Sequence, residues 1–124
     1  MIEVLDPKEK VIGYIEGKDY LDKKKRRIGW FDEDNSIVRD KNNYPLLIID
    51  EKGIISYNDG EQVGYLKENK IFFYDDSLIY KLVKDEGKIL QYNGDVALIL
   101  KGEISKLNGL DFFGICSLYL ELFS

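Results

Sequence analysis

Short apolar runs separated by turn-forming polar residues recur along the whole chain. The runs are Ile12-Gly13-Tyr14-Ile15, Ile28-Gly29-Trp30-Phe31, Leu46-Leu47-Ile48-Ile49, Val63-Gly64-Tyr65-Leu66, Ile79-Tyr80-Lys81-Leu82, Ala97-Leu98-Ile99-Leu100 and Phe113-Gly114-Ile115-Cys116. Their starts are spaced by 16, 18, 17, 16, 18 and 16 residues. A second signal keeps the same phase. An Asp or Asn closes a second apolar segment in each unit: Asp6, Asp22, Asp40, Asn58, Asp75, Asn93 and Asn108. Two signals with one period mark an internal repeat.

Each unit predicts two short strands and two turns. A first strand (the apolar run) leads through a tight turn such as Glu16-Gly17-Lys18 or Glu68-Asn69 into a second strand, for example Lys70 to Tyr74. The Asp or Asn turn follows. These residues tolerate positive φ, which hairpin turns demand. Neighbouring strands then pair in sequence order as a meander. The expected fold is therefore all-β: one domain over 1–124, a closed meander of about seven hairpin repeats, flower-like or like a small propeller. Closure of Met1–Leu5 against the last repeat would remove two bare sheet edges. The apolar tail from Ser117 to Phe123 reads as a final strand or a short helix and must dock somewhere.

The first strand of each unit is apolar on both faces, which a sheet with one wet face is not. It is expected to lie between layers. Gly13, Gly29, Gly64 and Gly114 would then admit a close neighbour.

The pattern from Val63 to Asp75 resembles bacterial four-fold β-flower proteins and related short-hairpin repeat families. That resemblance implies hairpins set like petals around an axis, in families without a defined biochemical role. The Gly29-Trp30 pair is more distantly similar to the choline-binding repeats of cell-wall proteins.

Composition supports strands: one Ala (Ala97) stands against fifteen Ile, nine Tyr and six Phe, and Ala is the best helix former whereas the others favour strands. A net charge of −5 argues against nucleic acid as partner. The absence of His removes His-based acid–base chemistry and the usual zinc and haem ligands, and no cofactor is implied. One Cys cannot form an internal disulfide, and the charged start Met-Ile-Glu-Val-Leu-Asp-Pro-Lys lacks the form of a secretory leader. No run is long enough to cross a membrane as a helix. A cytoplasmic location is the expectation.

Candidate chemistry is sparse. Asp32, Glu33, Asp34, Asn35 and Ser36 have an oxygen-rich spacing that can ligate calcium, yet they also form an ordinary hairpin turn; no metal is assigned. Asp75 and Asp76 could serve glycoside hydrolysis, but Asp75 occupies the repeated turn. Lys23-Lys24-Lys25-Arg26-Arg27 is a basic run suited to polyanions or to a solvated loop. Cys116, in an apolar segment, reads as a buried thiol. Tyr14, Trp30 and Tyr65 occupy equivalent positions after Gly and are the candidate ligand-binding residues, by stacking on sugar rings. Ile48, Ile99 and Ile115 fill the same slot elsewhere, which places that slot in the core. No catalytic residue is assigned. The expected function is a non-enzymatic binding or protein-interaction module, with self-association among its partners. A carbohydrate-binding module is the alternative, and a carboxylate hydrolase the second alternative.

Overall fold

The computed structural model describes all 124 residues. Twelve strands follow one another: β1 (Ile2–Leu5), β2 (Val11–Glu16), β3 (Asp19–Asp22), β4 (Arg27–Asp32), β5 (Ile37–Asp40), β6 (Pro45–Ile49), β7 (Ile54–Ser56), β8 (Gln62–Lys67), β9 (Lys70–Phe73), β10 (Leu78–Val83), β11 (Lys88–Gln91) and β12 (Val96–Lys101). A single α-helix, α1 (Gly109–Tyr119), comes last. Each strand pairs antiparallel with the next, and the sheet closes as a barrel because β1 pairs with β12 at Glu3↔Lys101, Val4↔Leu100 and Leu5↔Ile99. No edge is left bare, which removes the hazard an open meander carries.

The first six apolar runs lie on the even-numbered strands β2 to β12. The seventh, Phe113-Gly114-Ile115-Cys116, is helical and adds no hairpin. Its preceding Asn108 is not a hairpin turn but a helix N-cap. The Asn108 side chain accepts the Asp111 N–H at 2.9 Å, and the Asp111 carboxylate accepts the Asn108 N–H at 3.0 Å. This reciprocal pair satisfies two of the N–H groups that a helix start leaves free.

The connections alternate between two rims. Hairpins such as Glu68-Asn69, with both φ positive, turn tightly at one rim. At the other rim a loop of four or five residues joins each odd strand to the next even one, against two to four residues at the first rim. Every such pairing carries a register shift, from Val4/Leu5 to Ile89/Leu90. An extra residue of this kind bends a strand and raises its twist, and a bulge in each long-loop connection helps curl the sheet to closure.

Twelve strands ~4.8 Å apart and tilted by about 40° enclose a ring roughly 24 Å across. Side chains from the wall leave a gap of about one helix diameter, ~10–12 Å. Helix α1 fills it. Phe112 through Ser117 are all buried, a stretch longer than one turn, so the helix is covered on every side. The chain leaves β12 at the tight-turn rim and α1 runs back toward the loop rim. There the Tyr119 hydroxyl donates to the Leu21 carbonyl at 2.7 Å and lies 3.0 Å from that of Tyr14. The strand glycines do admit a close neighbour, and that neighbour is the C-terminal segment rather than a second sheet. A Cβ on Gly13 would sit 2.6 Å from the Tyr119 ring, and one on Gly29 2.6 Å from a Leu118 methyl.

Candidate functional site

The six long loops share one backbone form, fixed by two hydrogen bonds. In the first loop the Asp6 N–H donates to the Lys10 carbonyl, and the Glu9 N–H donates to Asp6. The same pair recurs from Asp22, Asp40, Tyr57, Phe73 and Gln91, and at the opposite rim from Asp50 in the β6–β7 connection. The fourth residue of each loop is left-handed: Glu9, Lys25, Asn43, Gly60, Asp76 and Gly94. The Asp and Asn side chains explain how non-glycine loops hold this shape. Asp22 Oδ1 accepts from the N–H of Lys24 at 2.8 Å and of Arg26 at 3.0 Å, and Asp6 and Asp40 do the same in their own loops. In the last three loops the acceptor moves two places on, to Asp59, Asp75 and Asn93. The change follows from sequence, since Tyr57, Phe73 and Gln91 occupy the first place and lack a short carboxylate.

These loops hold outward what they carry. Tyr44, Tyr74 and Tyr92 are 62%, 77% and 72% exposed. Phe73 is also exposed, and its ring meets Phe123 of the tail edge-on. Sequence reasoning missed these residues as a surface, although the Tyr-Asp and Tyr-Asn pairs at 74–75 and 92–93 belong to the repeated turn signal. Charge is segregated around the same rim. The loop after β3 carries Lys23, Lys24, Lys25 and Arg26, while the loop after β9 carries Asp75 and Asp76. With six loops on a closed ring, those two are diametrically opposite.

The candidate stackers Tyr14, Trp30 and Tyr65 are not core. Strand alternation turns Gly13, Gly29 and Gly64 inward against the helix and tail, so the following aromatic faces outward and is half-buried. Each is already engaged. Lys25 Nζ lies 5.1 Å from the Tyr14 ring centre, and Arg27 Cζ 5.6 Å from that of Trp30. Phe72 stacks on Tyr65 at 4.9 Å. Trp30 Nε1 donates to Asn43 at 2.9 Å. The Tyr65 hydroxyl donates to Asp76 at 2.6 Å, and that carboxylate holds the phenol above its ordinary range. The three residues sit on β2, β4 and β8, so Tyr65 stands apart from the other two.

The carboxylates act on backbone and neighbours. Hydrogen bonds from the Ser77 hydroxyl and N–H hold Asp75 below the usual carboxylate range. A general acid needs the opposite shift. Asp32, the last residue of β4, accepts from Asn35 at 2.9 Å and from Arg39 Nε at 3.0 Å, and these bonds lower its pKa in that order. Cys116 is buried in the helix, and burial pushes its thiol well up, away from nucleophilic use.

An apolar cavity of about 390 Å³ opens beside the loop rim, between the β6–β7 seam and the tail. That seam pairs only at Ile48↔Ser56 and Ile49↔Ile55. In its lining the Tyr57 hydroxyl donates to the Phe123 carbonyl at 2.6 Å, Ser117 Oγ to that of Phe113 at 2.8 Å and Ser124 Oγ to that of Glu121 at 2.6 Å.

No helix of the chain is long and apolar enough to cross a membrane. No family model matches this chain, no curated protein matches it, and no solved structure matches it.

Proposed function

We propose that the chain is a non-enzymatic protein-interaction module whose binding face is the loop rim. The observation that carries this reading is the set of exposed tyrosines Tyr44, Tyr74 and Tyr92 on loops held rigid by side-chain hydrogen bonds. Large aromatic rings presented on a pre-ordered frame give contact area at small entropic cost, and Tyr is enriched where proteins bind. Lowered carboxyl pKa values and a buried thiol support a binding role over a hydrolytic one.

The test is site-specific photo-crosslinking in cells, with a benzophenone amino acid replacing Tyr74 or Tyr92, and Lys67 at the opposite rim as control. The reading expects adducts of defined mass from the loop rim alone. Equal labelling from both rims, or none from either, would refute it.

The half-exposed positions of Tyr14 and Trp30 favour a second reading, carbohydrate binding on the outer wall. One face of each ring is occupied by a cation, so a sugar would take the other. Glycan-array binding lost in Trp30→Ala would support it.

A cytoplasmic setting fits the free buried Cys116. Strands of three to six residues are shorter than the ~9–11 that a membrane-crossing barrel needs.

A further inference from the structure

We propose that the loop rim takes a second copy of this chain, forming a two-fold, rim-to-rim dimer; this rests on the reading of the rim as the binding face. The loop after β3 is basic (Lys23, Lys24, Lys25, Arg26), and the loop three places around the ring, after β9, is acidic (Asp75, Asp76). A two-fold axis lying in the rim plane, at right angles to the line joining them, sets the basic loop of each copy on the acidic loop of the other.

The same operation matches the remaining loops. The loop after β1, in which Asp6 and Glu9 balance Lys8 and Lys10, meets the loop after β11, with Asp95. The loop after β5, in which Asp40 balances Lys41, meets the loop after β7, with Asp59 and Glu61. Only the contact between the loops after β3 and β9 is basic on acidic; in the other two a charge-balanced loop meets an acidic one, so no loops of like net charge are brought together. A self-complementary patch of this kind is what an isologous dimer requires.

The exposed rings fit the same arrangement. Tyr74 falls opposite the partner's basic loop, where a cation can sit over its face, as Lys25 and Arg27 already do over Tyr14 and Trp30 within one copy. The area is adequate. A rim roughly 30 Å across covers about 700 Å² per copy, close to the ~800 Å² per partner of a standard interface.

The test is sedimentation equilibrium of the full chain with two charge-reversed variants. One carries Lys23→Glu, Lys24→Glu and Lys25→Glu. The other carries Glu61→Lys, Asp76→Lys and Asp95→Lys, which leaves the loop-capping Asp59, Asp75 and Asn93 in place. The wild type is expected as a dimer whose dissociation constant rises with salt. Each variant alone is expected to bind itself roughly 100-fold more weakly, the first because acidic loops now oppose and the second because its basic loop faces a neutralised one. An equimolar mixture restores one basic-on-acidic contact per pair, sets the other acidic loop on a neutralised one, and should dimerise again.

A wild type that stays monomeric at low salt overturns the inference. So does a dimer indifferent to both salt and charge reversal, or a ladder of larger species in place of a closed pair. A monomeric wild type that still gives rim-specific adducts in cells would leave the interaction reading standing with a different partner, so the two can fail separately.

Discussion

Gly29→Ala probes the packing of strand against helix directly. Gly29 lies on β4 with its α-carbon facing the lumen. An added Cβ would sit 2.6 and 2.9 Å from the two δ-methyls of Leu118, and nearer still to the Arg39 carbonyl oxygen across the sheet. The Leu118 side chain can turn aside, whereas the carbonyl belongs to the sheet backbone and moves only with its strand. Overpacking a tight site costs about 1–3 kcal/mol, and a clash with backbone belongs at the upper end, ~3 kcal/mol. For a domain of this length the melting temperature should fall by roughly 10–15 °C. Thermal unfolding followed by circular dichroism measures it. Leu118→Ala removes a half-buried side chain and should cost about 1–2 kcal/mol alone. The double variant should cost less than the two together by about 1 kcal/mol, since the methyl clash is gone while the carbonyl clash remains. Gly17→Ala is the control: nothing lies within 4 Å, and only its φ of +63° is strained, a cost of about 1 kcal/mol. If Gly29→Ala is as mild as Gly17→Ala, or strictly additive with Leu118→Ala, the helix does not press on that strand.

Asn108→Ala removes half of the reciprocal cap on α1 and should destabilise by about 1 kcal/mol in urea unfolding. Tyr119→Phe removes the hydroxyl bonded to the Leu21 carbonyl and should cost about 1 kcal/mol with the fold retained. The carboxyls of Asp22, Asp32 and Asp75 lie below their ordinary value, through the bonds from Arg26, Asn35 and Ser77 respectively. Their contribution is complete above the unfolded carboxyl pKa of about 3.9 and is lost as pH falls through the lower folded values. Urea midpoints should therefore carry no loss from these groups between neutral pH and about 5 and should drop in stronger acid, with a shallower drop in Asp32→Asn.

The turns were the most legible part of the sequence. A loop closed by its own side chain needs an Asp or Asn at one of two places, so Asp6, Asp22 and Asp40, and then Asp59, Asp75 and Asn93, mark the period. Ring closure followed from the bare edges alone. The helix was hidden because it is buried all round: Phe112 to Ser117 show no polar stripe, and Phe-Gly-Ile-Cys copies the apolar-Gly look of a strand. The signal that separates them was present as Asn108 with Asp111 three residues later, a capping pair where other units have a hairpin turn. The face of the aromatics was illegible for a different reason. With apolar residues on both sides of each even strand, only the occupant of the lumen decides which side is inner. Once α1 fills it, glycine must face inward and Tyr14, Trp30 and Tyr65 outward. The exposed tyrosines of the rim were visible as letters but not as a surface, since their grouping depends on the ring.

The central claim is that α1 supplies the core of this barrel. Phe112, Phe113 and Ile115 are fully buried, and each is worth about 1.5–3 kcal/mol. Together with the cavity their loss would leave, that approaches the ~5–15 kcal/mol net stability of a small domain. The direct measurement is unfolding of a chain ending at Lys106, alone and with a synthetic peptide of residues 107–124 added. Failure of the shortened chain to fold cooperatively, and its recovery with the peptide, is the predicted result. A shortened chain that melts cooperatively at the full-length temperature would contradict the account.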